Sequence, residues 1–355
     1  MKVFVTGVAG QLGHDVMNEL HKRSYEGVGT DIASVYSSVQ DGSAVVTMPY
    51  VQMDITDTEV VERIITEVNP DVVIHCAAWT AVDMAEDDDK VEKVHAINAG
   101  GTKNIANACK KLDCKMVYIS TDYVFDGQGI EPWQPDCKDY KPLNVYGQTK
   151  LGGELAVANT LDKYFIVRIA WVFGINGKNF IKTMLSVGKK YDVVRVVNDQ
   201  IGTPTYTLDL ARLLVDMVET EKYGYYHATN EGGYISWYDF TCEIFKQVEY
   251  TTKVVPVTTE EYGMSKAARP FNSRLDKRVL TDTVEFCYKC DDFYHANDEG
   301  GLAWNDSVIG IEWPQVVGEY KSSASAEGYT LADGIKLNLS DKDQKWLGLK
   351  DTFKF

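Results

Sequence analysis

Short apolar runs and amphipathic patterns alternate along the first 170 residues of the chain. The apolar runs, rich in Val, Ile and Phe, predict strands at Val3–Thr6, Gly27–Asp31, Val72–Cys76, Lys115–Ser120 and Tyr164–Ile169. The patterns between them predict helices at Gln11–Lys22, Thr58–Val68, Lys90–Lys111 and Tyr146–Asn159. Alternation of strand and helix is typical of the α/β class, in which helices cover both faces of a doubly wound parallel sheet.

The alternation becomes less regular after Trp171, which predicts a smaller lobe over the carboxyl edge of the sheet, where ligands bind in open α/β folds. Strands are predicted near Val193–Val197 and Tyr225–Thr229, and helices near Leu208–Glu219 and Trp237–Val248. Beyond about Val279 the helical periodicity fades, while Tyr, Phe, Gly and Asp become more frequent. We therefore expect three segments: residues 1–170, residues 171–278 and a β-rich segment of residues 279–355.

Composition narrows the class of protein. The 355 residues are 45% hydrophobic, enough for a substantial core, and carry a formal net charge of −16, which opposes binding to nucleic acids and anionic membranes. The chain shows neither a secretory signal nor the ~20 consecutive apolar residues that cross a bilayer, so we expect a cytoplasmic protein. The cysteines number seven and are scattered, so we expect reduced thiols, including the Cys287 and Cys290 pair.

A glycine-rich turn links the first predicted strand to the first predicted helix. Its sequence is Thr6-Gly7-Val8-Ala9-Gly10-Gln11-Leu12-Gly13. Glycines at this place allow a tight turn and close approach of the backbone to a pyrophosphate, and the N–H groups of the helix N-terminus bind that anion. The turn predicts a Rossmann-type dinucleotide site that includes Gly7, Gly10, Gln11, Leu12 and Gly13.

Asp31 ends the second predicted strand, where a carboxylate can accept hydrogen bonds from the ribose of the adenosine. A carboxylate at that point also repels a 2′-phosphate. The cofactor is therefore expected to be NADH or NADPH, with a preference for NADH.

Tyr146 and Lys150 lie four residues apart on a predicted helix and so share one face of it. A nearby cation favours the phenolate of a tyrosine, whose ordinary pKa is near 10. Thr121 follows another strand and supplies a hydroxyl that can orient a carbonyl oxygen. These three residues predict a reductase in which hydride passes from a nicotinamide to a carbonyl carbon while Tyr146 protonates the oxygen.

Several motifs in order resemble those of the dTDP-4-dehydrorhamnose reductases, which belong to the extended short-chain dehydrogenase/reductase group. They lie within residues 1–278 and comprise His75–Asp83, Ser120–Phe125, Tyr146–Lys150, Arg168–Gly174, Asp199–Thr205 and Arg269–Leu275. The resemblance implies reduction of the 4-keto group of dTDP-4-dehydro-L-rhamnose, a step toward cell-surface polysaccharide. It also implies a small-molecule dTDP-sugar as the substrate.

The resemblance also implies roles for individual residues. The catalytic set would be Thr121, Tyr146 and Lys150. The cofactor would contact Asp54 and Ile55 on its adenine side, and also Ala77, Ala78, Thr80 and Asn98. The substrate would contact Val82, Thr121, Asp122, Trp171 and Arg269, the last as a clamp on pyrophosphate.

Some members of the group hold Mg²⁺ at a dimer contact. Only Asp15 matches one of those acidic positions, so we predict no metal, while a homodimer is possible.

The tail departs from the reductase pattern. It resembles the last third of dTDP-4-dehydrorhamnose 3,5-epimerase at Thr281–Cys290, Glu299–Asp306, Ile309–Pro314 and Leu339–Asp343. The catalytic histidine and lysine of that family lie in a front portion that has no counterpart here. We expect a partial cupin-like remnant that is dispensable for reduction, because a jelly roll without most of its strands leaves edges uncovered.

Two alternatives remain open from the sequence. The first is another nucleotide-sugar enzyme of the same superfamily, a 4-epimerase or a dehydratase, and a 4-epimerase would consume no NAD(P)H. The second is a non-catalytic regulatory subunit with the reductase fold, although such a subunit has no use for the set of Thr121, Tyr146 and Lys150.

Overall fold

The computed structural model describes residues 1–36 and 48–277, together with the short strands Val316–Val317 and Thr330–Leu331. The chain divides into two units, Met1–Val284 and Glu285–Phe355. In the second unit the two short strands pair antiparallel. The remainder of the predicted β-rich segment, with Cys287 and Cys290, lies outside the described residues.

A parallel sheet of seven strands forms the centre of the first unit. Its strands in chain order are β1 (Lys2–Thr6), β2 (Glu26–Asp31), β3 (Tyr50–Gln52), β4 (Val72–His75), β5 (Lys115–Thr121), β6 (Tyr164–Ile169) and β11 (Gly224–His227). They lie in the order β11-β6-β5-β4-β1-β2-β3. The chain first adds β2 and β3 on one side of β1. It then places β4 on the other side of β1 and continues outward through β5, β6 and β11. This is the predicted Rossmann-type, doubly wound arrangement.

Helices cover both faces of the sheet, and others belong to the smaller lobe. They are α1 (Gln11–Lys22), α2 (Thr58–Val68), α3 (Val91–His95), α4 (Thr102–Leu112), α5 (Val145–Ala158), α6 (Phe180–Lys190), α7 (Thr207–Val218), α8 (Trp237–Gln247) and α9 (Thr259–Tyr262). Buried apolar residues of α1 and α7 share one core with the sheet. Those of α2 and α4 share a second core with it. The buried apolar faces of these four helices explain the periodicity that predicted them.

The single helix predicted at Lys90–Lys111 is wrong in its middle. A π-helical segment, Ala96–Gly101, separates α3 from α4. Its sequence ends in Gly100-Gly101, residues with low helix preference, and Asn98 within it bonds to the backbone of a loop. Such π segments are frequent at functional sites.

Short strands build the smaller lobe. They are β7 (Val172–Phe173), β8 (Val193–Val197), β9 (Ile201–Gly202), β10 (Thr205–Tyr206), β12 (Ile235–Ser236), β13 (Lys253–Val257) and β14 (Asn272–Ser273). Residues of β8, α6 and α8 form a separate apolar cluster. The described residues include no helix long and apolar enough to cross a membrane.

Candidate active site

A cavity of about 920 Å³ lies at the carboxyl ends of the sheet strands. Residues that follow β1, β2, β4, β5 and β6 line it, together with α5 and the start of α6. Ligands bind at this edge of doubly wound sheets. Nearly all predicted site residues line this one cavity, the exceptions being Asn98 and Arg269.

The glycine turn forms one end of the cavity. Gly7 has a φ of 71°, and a Cβ there would lie 2.7 Å from Ala77 N. A Cβ on Gly13 would lie 2.4 Å from Gly7 O. Helix α1 starts after Gly10 with no side-chain cap from the residues that the structure describes, so its first N–H groups are free to bind an anion. The turn therefore fits the pyrophosphate of a dinucleotide.

A loop from the smaller lobe is attached to this turn. Asn176 is 2% exposed and donates hydrogen bonds to Ala9 O and Gly10 O, both at 3.1 Å. Asn179 donates to Gln11 Oε1 at 2.9 Å and caps α6. Lys178, between them, lines the cavity. This loop was not predicted from the sequence, because no local pattern indicates that residues so distant in sequence bind the glycine turn.

The part of the cavity beside the carboxyl ends of β2 and β3 contains the predicted acids. Asp31 accepts hydrogen bonds from Ala9 N at 3.0 Å and Ile32 N at 2.8 Å. Asp54 accepts one from Thr56 N at 2.9 Å, and Ile55 is buried beside it. Both Asp54 and Ile55 line the cavity.

Three further predicted cofactor residues, Ala77, Ala78 and Thr80, line the cavity, but Asn98 lies behind its wall. Asn98 is 1% exposed and accepts a hydrogen bond from Trp79 N at 2.8 Å. Its amide nitrogen donates to Trp79 O at 3.1 Å and to Thr149 Oγ1 at 3.0 Å. Asn98 thus holds the loop that contains these cavity residues against α5.

The predicted catalytic residues converge on the middle of the cavity. Thr121 ends β5 and is 5% exposed, whereas Lys150 on α5 is 3% exposed. Asn144 caps α5 by accepting a hydrogen bond from Gly147 N at 2.8 Å, which fixes the turn that bears Tyr146. The Thr121 hydroxyl donates a hydrogen bond to Asp122 Oδ1 at 2.9 Å and accepts one from Tyr123 N at 3.3 Å.

The prediction that Lys150 lowers the pKa of Tyr146 is wrong. Burial raises the pKa of Tyr146 well above its ordinary value, and the nearby Thr121 side chain offsets only part of that effect. Burial also lowers the pKa of Lys150 to about 7, against the attraction of Glu154 and Cys76. The Lys150 ammonium lies 4.2 Å from the centre of the Tyr118 ring.

Two tryptophans and a buried acid also line the cavity. Trp171 has a φ of 51°, a strained backbone for a residue other than glycine, and stacks on Trp237 with ring centres 3.7 Å apart. Sequence analysis named Trp171 but missed Trp237, which lies in α8. Asp122 is 1% exposed, and no hydrogen-bond partner for its Oδ2 lies among the described residues. Burial raises the pKa of Asp122 to about 6.

Val82 lines the cavity as predicted, but Arg269 does not. The Arg269 guanidinium donates to Asp83 Oδ2 at 2.6 Å and to the Tyr123 hydroxyl at 3.3 Å. These contacts fix the guanidinium beside Tyr123, which itself lines the cavity.

The side chain of Asp15, the acidic position considered for a metal, is engaged by another residue of the protein. Asp15 is 4% exposed and accepts a hydrogen bond from Thr207 Oγ1. Within residues 1–36 and 48–277, no group of three or more His, Cys, Asp or Glu side chains is arranged to bind a metal ion.

Known proteins are similar to this chain in fold and in sequence. The family model described as RmlD substrate binding domain matches residues 1–290, and the model for dTDP-4-dehydrorhamnose 3,5-epimerase matches residues 278–351. The chain is 35% identical over 281 residues to the spore coat polysaccharide biosynthesis protein SpsK of Bacillus subtilis, covering 79% of this chain and 91% of the relative. It is 36% identical over 288 residues to the dTDP-4-dehydrorhamnose reductase of Aggregatibacter actinomycetemcomitans, covering 78% and 90%.

A solved structure agrees with these matches. The dTDP-4-dehydrorhamnose reductase of Bacillus anthracis, in complex with NADP, superposes with a TM-score of 0.70 at 38% identity, covering 79% of this chain and 91% of that one. Fold and relatives together define an NAD(P)H-dependent oxidoreductase with a Rossmann-type sheet. More narrowly, the chain belongs to the dTDP-4-dehydrorhamnose reductase family. The family, fold class and enzyme class predicted from the sequence are thereby confirmed.

Proposed function

We propose that the protein reduces dTDP-4-dehydro-L-rhamnose to dTDP-L-rhamnose with NADH or NADPH, in the synthesis of cell-surface polysaccharide. One observation carries the proposal: a single cavity contains both the glycine turn and the side chains of Thr121, Tyr146 and Lys150. The named reductases among the relatives support the choice of sugar.

The proposed chemistry combines one hydride and one proton. The nicotinamide, when bound, supplies the hydride for the carbonyl carbon. Tyr146 starts as a phenol, because burial raises its pKa, and gives its proton to the carbonyl oxygen. Thr121 donates a hydrogen bond to the same oxygen. The Lys150 ammonium binds the ribose hydroxyls beside the nicotinamide.

The proposed sugar site uses the opposite end of the cavity. Asp122 Oδ2 accepts a hydrogen bond from a hydroxyl of the sugar, since it is buried and lacks a partner among the described residues. The stacked pair of Trp171 and Trp237 offers an aromatic face to the sugar or the base. Arg269 binds the pyrophosphate of dTDP, which requires its guanidinium to exchange Asp83 or Tyr123 for phosphate oxygens.

The test is net reduction. Purified full-length protein is mixed with dTDP-4-dehydro-L-rhamnose and either NADH or NADPH, and cofactor oxidation is followed by absorbance while the sugar is identified by NMR. We expect one cofactor oxidised per dTDP-L-rhamnose formed. Interconversion of sugars without net oxidation would indicate a 4-epimerase, and absence of turnover would indicate a regulatory subunit.

The cofactor preference provides a sharper prediction. Asp31 lines the cavity beside the glycine turn, and the sequence contains no Lys or Arg between Arg23 and Arg63 that could bind a 2′-phosphate. We expect kcat/KM to be about tenfold or more higher with NADH than with NADPH, because the carboxylate repels the extra phosphate. The variant Asp31→Ser should lose most of this discrimination. Equal use of both cofactors by the wild type would contradict the assignment.

The charge of Lys150 makes cofactor binding depend on pH. The pKa near 7 means that the ammonium loses its proton as pH rises through that value, so binding is strongest below it. We expect the affinity for NADH, measured by fluorescence titration, to fall about tenfold on the alkaline side. Lys150→Met should bind weakly at every pH. A wild-type affinity that stays constant across this range would show that the ammonium does not hold the ribose.

Other parts of the proposal follow the sequence. We propose that the protein works in the cytoplasm and that it forms a homodimer. We also propose that the epimerase-like segment is not needed for reduction. Deletion of residues 280–355 tests the last point, because a soluble, folded protein without turnover would contradict it.

A further inference from the structure

A buried ion pair lies directly behind the catalytic residues. Glu154 on α5 and Arg168 on β6 both have side chains that are 0% exposed. Arg168 Nε donates to Glu154 Oε1 at 2.8 Å, and Nη2 donates to Oε2 at 2.9 Å. Replacing a buried ion pair by apolar side chains is often neutral or stabilising, so stability alone does not explain why the pair is present.

The pair is connected to both halves of the proposed catalytic set. Glu154 lies one helical turn after Lys150 on α5. Its Oε1 also accepts a hydrogen bond from Ser120 Oγ at 2.5 Å, and Ser120 directly precedes Thr121 on β5. On the other side of Lys150, the Tyr118 hydroxyl donates to Lys150 O at 3.0 Å. Two hydrogen bonds, one between Ser120 and Glu154 and one between Tyr118 and Lys150 O, thus join β5 to α5 near Lys150.

Arg168 is itself held in place on several sides. Nη1 donates to Pro135 O at 3.1 Å, and Nη2 donates to the Tyr140 hydroxyl at 3.2 Å. The guanidinium carbon lies 4.9 Å from the centres of both the Phe125 and the Tyr225 rings. Because the Arg168 guanidinium is held by contacts on several sides, it keeps the Glu154 carboxylate in one orientation.

We infer that Glu154 and Arg168 are positioning residues for the reduction: Arg168 orients the Glu154 carboxylate, which fixes α5 against β5 and supports the positive charge of Lys150. The inference rests on the proposed function. The ionisable groups that interact with the Lys150 ammonium are His75 and Cys76 at the end of β4, Tyr118 on β5 and Glu154 on α5. Of these, Glu154 is the carboxylate, so its removal leaves the buried ammonium least supported.

The test compares two variants with a surface control. Glu154→Gln keeps the shape of the side chain and removes its charge. We expect kcat to fall about tenfold or more, because a small displacement of catalytic groups is costly, and the alkaline loss of NADH binding to move to lower pH. The control Glu67→Gln breaks a pair with Arg63 in which both side chains are more than half exposed, and should change neither quantity.

The double variant Glu154→Leu/Arg168→Met separates positioning from stability. It removes both charges together and keeps apolar volume, so we expect a thermal midpoint near that of the wild type with the same loss in kcat. A stable double variant with wild-type kcat would overturn the inference.

Binding of NADH is measured without the sugar, so this result does not depend on which sugar is reduced. A wild type that reduces no dTDP-keto sugar would instead defeat the proposed function.

Discussion

Replacing Tyr146 with Phe should lower kcat about 10²–10⁴-fold, the usual contribution of a positioned proton donor. The substitution removes only the hydroxyl, and the ring keeps its edge-to-face contact with Tyr123, whose centre lies 5.4 Å away. Binding of NADH and the thermal midpoint should therefore change little. Steady-state kinetics with saturating NADH and dTDP-4-dehydro-L-rhamnose measure the effect.

A matched control uses a partly buried tyrosine on the central sheet. Tyr164 begins β6 and lies outside the cavity, so Tyr164→Phe should leave kcat unchanged. If Tyr146→Phe retained wild-type kcat in this comparison, the proton would have to come from a different group, and the mechanism would be wrong.

The second large effect is expected at Gly13. This residue lies inside α1, where alanine would ordinarily stabilise a helix by about 1 kcal/mol. Here, however, a Cβ would lie 2.4 Å from Gly7 O and 2.8 Å from Gly7 C, both backbone atoms that cannot swing aside. The turn must shift, and we expect Gly13→Ala to weaken NADH binding about tenfold or more.

The control for Gly13 is Gly100→Ala. Gly100 is also helical, and the nearest atom to a Cβ there is His95 O at 3.8 Å, an ordinary contact. NADH affinity measured by fluorescence should be unchanged in this variant. If Gly13→Ala bound NADH as tightly as the wild type while gaining stability, the turn would not be the pyrophosphate site.

The sheet and its helices could be predicted because each element carries its own periodicity. The bounds predicted for Gln11–Lys22 and Thr58–Val68 agree with α1 and α2, where one apolar face is buried against the sheet. The helix predicted at Lys90–Lys111 contains a π-helical segment at Ala96–Gly101 that its periodicity did not indicate, and Asn98 within this segment forms tertiary hydrogen bonds. The periodicity of apolar residues shows which face of a helix or strand is buried. It does not show which distant residues a loop contacts.

The candidate site was predictable where short motifs lie at strand ends, and less so elsewhere. Gly7, Thr121 and Tyr146 come together because parallel strands deliver their carboxyl ends to one edge. Lys178 and Trp237, which line the cavity, and Asn176, which binds the glycine turn, were missed because they come from the smaller lobe through contacts distant in sequence. The direction of the Tyr146 pKa was also missed, since burial is a property of the folded cleft and not of helical spacing.

The most direct measurement of the central claim follows the hydride itself. The protein is incubated with dTDP-4-dehydro-L-rhamnose and NADH that carries deuterium at both C4 positions, and the sugar product is examined by NMR and mass spectrometry. The proposed chemistry requires dTDP-L-rhamnose with one deuterium at C4 of the sugar and NADH consumed in equal amount. Rhamnose without deuterium, or conversion of the sugar with no NADH consumed, would contradict it.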